Sequence, residues 1–165
     1  MPRELNDTLI QKIQETFREV KIHEPLERHT SFRLPCAATV FVNIPSTEEL
    51  ISLLTFIKQN DLKHKILGGG SNLIFLKNTY NGVIIKLDGG FRKITRQTEP
   101  AKNISLLTAG GGAMLPTVEA FATREGLAGL ETLSGIPGTT GGAIVINAGT
   151  RYGSIADILA EVTVV

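Results

Sequence analysis

Between residues 4 and 20, Leu5, Leu9, Ile13, Phe17 and Val20 recur three or four apart, with Lys12, Gln14, Glu15, Arg18 and Glu19 between them. That spacing predicts an amphipathic docking helix with one buried face. The rhythm then breaks: residues 21–38 hold two prolines and the run His29-Thr30-Ser31-Phe32-Arg33, which predicts extended or irregular chain. Thr39–Ile44 is a β-branched strand ended by Pro45. Ser46-Thr47-Glu48-Glu49 reads as a capping box opening a helix that turns Leu50, Leu53, Leu54 and Ile57 inward and runs out near Asn60. Lys65-Ile66-Leu67 is a short strand feeding Gly68-Gly69-Gly70-Ser71-Asn72, so strand, helix and strand make a βαβ unit.

The apolar runs Leu73–Leu76 and Val83–Leu87 predict two further strands, with Asn81-Gly82 as the turn before the second. Phe91–Thr95 and Ile104–Thr108 predict another pair, separated by a polar connection through Pro100. A second glycine loop, Ala109-Gly110-Gly111-Gly112-Ala113, precedes a helix with Pro116 in its first turn, Val118, Phe121 and Ala122 on its inner face, and a stop at Gly126. Gly135–Gly142 is too rich in glycines and hydroxyls for a helix or strand interior and reads as a tight, backbone-exposed loop. Ala143–Asn147 is a short helix or strand that periodicity does not resolve, and Ile158–Val165 reads as a final strand.

The chain has 165 residues, 42% hydrophobic and 20% charged, with 17 Lys+Arg against 16 Asp+Glu for a net charge of +1. Such a chain makes one soluble domain or two small ones, and it buries roughly two-thirds of its unfolded surface without needing a disulfide or metal. Cys36 is the only cysteine, which excludes a disulfide framework and any CxxC site. The balanced, dispersed charge leaves no footprint for nucleic acid or an anionic membrane. No apolar run approaches the ~18 residues of a membrane span. The N-terminus is polar where a signal peptide has a basic and then an apolar stretch, so a cytoplasmic location is expected. Glycine is the uneven residue: all 17 lie between Gly68 and Gly153, where about five would be expected before residue 68 at average usage.

Three glycine loops suit a large phosphate-bearing ligand, because bare backbone N–H groups at strand ends and helix starts bind anions. The common nucleotide motifs are nevertheless absent. No Gly-Lys pair exists for a P-loop, and both glycine triplets lack the third glycine of the G-x-G-x-x-G fingerprint. Kinase, G-x-S-x-G and H-E-x-x-H signatures are also missing, and His23, His29 and His64 have no metal-ligand spacing. A dinucleotide held by loops from several strands fits what remains. Gly68–Gly70 would approach a pyrophosphate, Ser71 and Asn72 would donate to it, and the Pro137–Thr140 loop would add donors from the opposite side. The competing reading is that these are tight turns of a β-rich domain.

The segments His29–Arg33, Leu67–Leu73, Gly129–Ala143 and Asn147-Ala148-Gly149, in this order and spacing, resemble the UDP-N-acetylenolpyruvoylglucosamine reductase family. These are the flavoenzymes, also called UDP-N-acetylmuramate dehydrogenases, of bacterial peptidoglycan synthesis. The resemblance runs from about residue 25 to Val165. It implies an α+β, two-subdomain FAD-binding domain of the vanillyl-alcohol oxidase type with the flavin between its subdomains. Residues 1–24 would form the N-terminal helix, 25–88 the first subdomain and 89–165 a truncated second one, with the family's separate substrate domain absent.

By the same resemblance, Gly68, Gly69, Gly70, Ser71, Asn72 and Leu73 match the loop that binds the FAD pyrophosphate. Gly110 and Gly111 match a second glycine loop, and Ser134, Gly135, Ile136, Pro137, Gly138, Thr139 and Thr140 match the loop along the flavin. The chain departs from the family at Pro35-Cys36, where a Gly-Gly pair is usual, and at Thr150-Arg151-Tyr152-Gly153, where Ala-Tyr-Gly is usual. The implied reaction uses NADPH and FAD to reduce UDP-N-acetylglucosamine enolpyruvate, in the cytoplasm and as part of cell-wall synthesis. No residue matches the family's catalytic arginine, serine or glutamate motifs, so the 165 residues alone are expected to be inactive. The alternatives are another FAD-dependent oxidoreductase of the same domain type and a flavin-binding module without turnover.

Overall fold

Helix α1 (Asp7–Thr16) is shorter than the 4–20 pattern predicts, because both ends have other partners. Asn6 Oδ1 accepts the Leu9 N–H at 3.0 Å and sets the start. After Phe17 the chain turns extended, and Val20 opens strand β1 (Val20–Pro25), pairing antiparallel with β2 (Ala37–Ile44) through Val20↔Val42. The computed structural model describes residues 4–99 and 104–165, which divide into two compact units, Met1–Gly89 and Gly90–Val165.

In the first unit, α2 (Thr47–Gln59) buries Leu50, Leu53 and Ile57 and ends at Asn60. Half of the expected capping box forms: Ser46 Oγ accepts the Glu49 N–H at 3.3 Å. The carboxylate at this end is that of Glu48, held below its ordinary value by its own backbone N–H and by Ser46. Strands β3 (His64–Ile66) and β4 (Thr79–Leu87) complete a sheet of order β1-β2-β4-β3, in which β2, β4 and β3 run parallel. The βαβ unit has β4 inserted between its two parallel strands, and Asn81-Gly82 is not the expected turn but part of β4. Ala38 pairs with Tyr80 and Val40 with Val83, so the turn-like dipeptide is absorbed in a β-bulge, where a glycine in a strand is commonly found. Leu73–Leu76 forms no strand.

In the second unit, β5 (Ile94–Glu99) and β6 (Ile104–Ala109) form an antiparallel pair from Ile94↔Ala109 to Glu99↔Ile104. The strand expected from Phe91 starts only at Ile94, after a 3-10 turn over Gly89–Arg92. The connection through Pro100 lies outside the described residues. Helix α3 (Leu115–Arg124) has Pro116 in its first turn and buries Leu115, Val118 and Ala122. Helix α4 (Thr140–Val145) starts inside the segment expected to be wholly loop, because Thr139 caps it: its Oγ1 accepts the Gly142 N–H at 3.3 Å. Strands β7 (Gly149–Thr150) and β8 (Gly153–Ser154) form a small hairpin. The core of this unit is Leu115, Leu133, Ala143, Ala148 and Ile155. Residues 158–165 form no strand, since no strand among the described residues pairs with them.

Candidate functional site

The first glycine loop leaves the C-terminal end of β3 and is pinned at both sides. Leu67 donates its N–H to Ile85 O at 2.8 Å and is buried with Leu26, Cys36, Ala38, Phe41, Tyr80 and Ile84, and Leu73 and Phe75 pack on the same cluster. Between these anchors Gly70 sits at φ +68°, a region that glycine enters at least cost. A Cβ there would lie 2.0 Å from His29 O and 2.8 Å from Thr30 Cα, so the loop rests directly on the backbone of the His29–Ser31 turn. Ser31 N–H closes the contact by donating to Gly70 O at 3.0 Å.

What this pinned loop offers outward is hydrogen-bond donors. Among the described residues, the N–H groups of Gly69, Gly70 and Asn72 and the Asn72 side chain have no hydrogen-bond partner in the protein. Lys86 on β4 reaches the loop from beneath, its Nζ donating to Gly68 O at 3.3 Å. A cation behind a row of donating N–H groups is the donor set of an anion site. Sequence reasoning overlooked Lys86, although a single cation inside the apolar run Val83-Ile84-Ile85-Lys86-Leu87 was its signal.

The other expected residues lie in the second unit, and two of their segments are brought together there. Gly110 donates to Lys93 O at 3.0 Å and Gly112 to Phe91 O at 2.9 Å. A Cβ on Gly110 would lie 2.2 Å from Phe91 O. Against this turn runs the 138–141 backbone: Leu115 N–H to Gly138 O (2.9 Å), Thr140 N–H to Ala113 O (2.8 Å) and Gly141 N–H to Gly111 O (3.0 Å). Ser134 and Ile136 donate their N–H groups back to Glu131 O and Leu133 O.

The hydroxyls of this region serve the fold first. Thr139, only 5% exposed, caps α4, and Thr140 Oγ1 donates to Ala113 O at 3.1 Å. The N–H groups of Gly111, Gly135, Gly138 and Thr139 have no partner among the described residues. Outward donation here therefore falls chiefly to backbone N–H groups. Arg151 and Tyr152, at the β7–β8 hairpin, are exposed and pair with one another, the guanidinium 4.7 Å from the ring centroid. Among the described residues no cluster of His, Cys, Asp and Glu is arranged to hold a metal ion.

Comparison with known proteins gives the chain a ligand class. The family model described as FAD binding domain matches residues 38–165. The chain belongs to the FAD binding domain family. This FAD binding domain is 39% identical over 145 residues to the UDP-N-acetylenolpyruvoylglucosamine reductase of Listeria innocua, covering 88% of this chain and 46% of that protein. It is 36% identical over 160 residues to the reductase of the same name from Caldanaerobacter subterraneus, covering 96% and 51%.

Among solved structures, the FAD binding domain resembles UDP-N-acetylenolpyruvylglucosamine reductase from Thermus caldophilus, with TM-score 0.63, 33% identity, and coverage of 84% of this chain and 45% of that one. An alkyldihydroxyacetonephosphate synthase shares the fold, with TM-score 0.65 at 17% identity, covering 95% and 33%. The chain spans about half the length of the curated relatives it matches. The α+β fold class of the FAD-binding type and the cofactor FAD thus stand as the sequence led us to expect. Unpaired N–H groups on a rigid loop beside Lys86 are what an FAD pyrophosphate requires, so the residues present fit the cofactor.

Proposed function

We propose that this chain is the FAD-binding portion of an NADPH-dependent reductase that converts UDP-N-acetylglucosamine enolpyruvate to UDP-N-acetylmuramate, acting in the cytoplasm in peptidoglycan synthesis. When bound, FAD would supply the hydride-transfer chemistry between a nicotinamide and an enolpyruvyl double bond. The chain's own residues bind and orient. Within the Gly68–Asn72 loop, Gly69, Gly70 and Asn72 direct unpaired N–H groups at the pyrophosphate, and Leu73 anchors the loop to the core. Lys86 balances the pyrophosphate charge from behind. Gly110 and Gly111, with Ser134–Thr140, form a backbone mesh along the flavin, where the N–H groups of Gly111, Gly135, Gly138 and Thr139 donate. The 165 residues by themselves bind FAD without turning over the substrate.

The observation that carries this reading is the first loop, a chain segment fixed by Leu67, Leu73 and the His29–Ser31 turn in which the protein leaves the donors of Gly69, Gly70 and Asn72 unused. Titrating the purified chain with FAD tests it. Bound flavin with visible absorbance, released intact on heating, is expected, and Asn72→Ala should weaken affinity about tenfold by removing one donor to a charged group. A chain that stays colourless overturns the proposal.

A further inference from the structure

The glycine loop rests on the His29–Ser31 turn, and that turn is itself held from the side by an unusual piece of strand. Residues 21 and 24 of a regular strand face opposite sides of the sheet. In β1, however, His23 adopts φ +53°, and Lys21 and Glu24 come together, Nζ to Oε1 at 3.4 Å. A left-handed residue other than glycine is costly and persists where its surroundings require it. Here it presents Glu24 to the imidazole of His29, Nε2 to Oε1 at 2.8 Å. A carboxylate only accepts, so the ring donates. The face of the same ring stacks on Phe41, which is fully buried, with centroids 4.6 Å apart and planes tilted by 30°.

The His29 ring is thus held by its edge and its face, with 17% of the side chain exposed. Fixing the ring fixes the His29 backbone, and the His29 carbonyl is the atom that a Cβ on Gly70 would meet first. Thr30 and Leu26 shape the turn from within, through Thr30 Oγ1 to Leu26 O at 3.2 Å and His29 N–H to Leu26 O at 2.9 Å. Beside the packing of Leu26, the imidazole is the polar side chain among the described residues that ties the turn sideways to Glu24 of β1 and Phe41 of β2.

We infer that Glu24 and His29 form a positioning couple that sets the Gly68–Asn72 backbone and so governs how tightly the loop holds the pyrophosphate of a dinucleotide. The second part of this inference rests on the FAD assignment of the loop. Both residues lie outside the Gly68–Asn72 loop and act on it through the turn.

A double-mutant cycle tests the couple. His29→Phe keeps a ring on Phe41 but removes the donor, Glu24→Ala removes the acceptor, and His29→Gln restores an N–H able to reach Glu24. FAD affinity and amide hydrogen exchange at His29 and Ser31, whose N–H groups donate to Leu26 O and Gly70 O, are measured for each in the FAD-free chain. Affinity should fall about tenfold in both single variants. The double variant should be no weaker than either single one, because both remove the same interaction. Exchange at these two amides should rise in all three, and His29→Gln should recover most of both losses.

Affinity and exchange unchanged in Glu24→Ala overturn the inference, as does a double variant whose loss is the product of the two. Should His29→Phe fail to fold, the Glu24→Ala and His29→Gln variants decide alone. If the unaltered chain binds no FAD, the assignment of the loop fails, while the exchange data still report whether the couple orders it.

Discussion

The two glycine-bearing regions achieve a rigid backbone by different means. In the first unit a single loop is gripped by apolar anchors, Leu67, Leu73 and Phe75, and laid on a turn that side chains hold in place. In the second unit the Gly110–Leu115 segment and the 138–141 segment grip each other through three backbone hydrogen bonds, with Thr139 capping the helix that follows. The first arrangement depends on side chains at a distance from the loop and the second on the absence of side chains within it. A side-chain truncation should therefore disturb the first region while leaving the second intact, whereas adding a methyl group should damage both.

The largest expected effect is that of Gly70→Ala. Its Cβ would overlap backbone at 2.0 Å in a residue with φ +68°, so neither a rotamer change nor a small shift relieves it. Overpacking and left-handed strain together should cost about 3 kcal/mol or more, measured by urea unfolding, and FAD binding should be lost. Gly110→Ala comes next: its Cβ would lie 2.2 Å from Phe91 O, but Gly110 needs no left-handed φ, so a loss of about 2 kcal/mol is expected. A variant at either position that unfolds at the same urea concentration as the parent would break the comparison, because the contact would then be one the backbone can relax.

The smallest effect separates the regions by pH. Glu24 is held below its ordinary carboxyl value of about 4.5, first by the hydrogen bond from His29 and then by the charge of Lys21, against the opposing effect of burial. A carboxylate lowered on folding stabilises the native state above its unfolded value, and that contribution is lost as pH falls through the folded one. Below about pH 4.5, amide exchange in the His29–Ser31 turn should therefore rise before exchange at Gly112 and Gly141, and Glu24→Gln should remove the difference. Simultaneous loss of protection in both regions would show that Glu24 is not what distinguishes them.

Much of this was legible in the sequence, for local reasons. Asn6 and Ser46 are side-chain oxygens placed to accept the N–H groups that start α1 and α2, and Pro116 suits a first helical turn, so these helices announce themselves. Three glycine loops and the motifs Leu67–Leu73 and Gly129–Ala143 marked the candidate site and its cofactor class, because close backbone approach and free N–H groups demand glycine whatever the surroundings. Pairing was not legible. Asn81-Gly82 has the composition of a hairpin turn, yet β4 runs through it because β2 and β3 on either side satisfy its backbone. Ile158–Val165 has the composition of a strand and forms none, because a strand exists only with a neighbour.

The site divides in the same way. The sequence by itself determined which residues could offer donors to a phosphate, since that is a property of Gly68–Asn72 and of the glycines near Thr139. Only the tertiary structure decided which glycine the protein itself requires, that Lys86 lies behind the loop, and that His23 bends its strand to set Glu24 against His29. These facts concern residues up to 46 positions apart, such as Gly70 and Glu24, whose proximity is fixed by sheet pairing and a shared core rather than by neighbours along the chain.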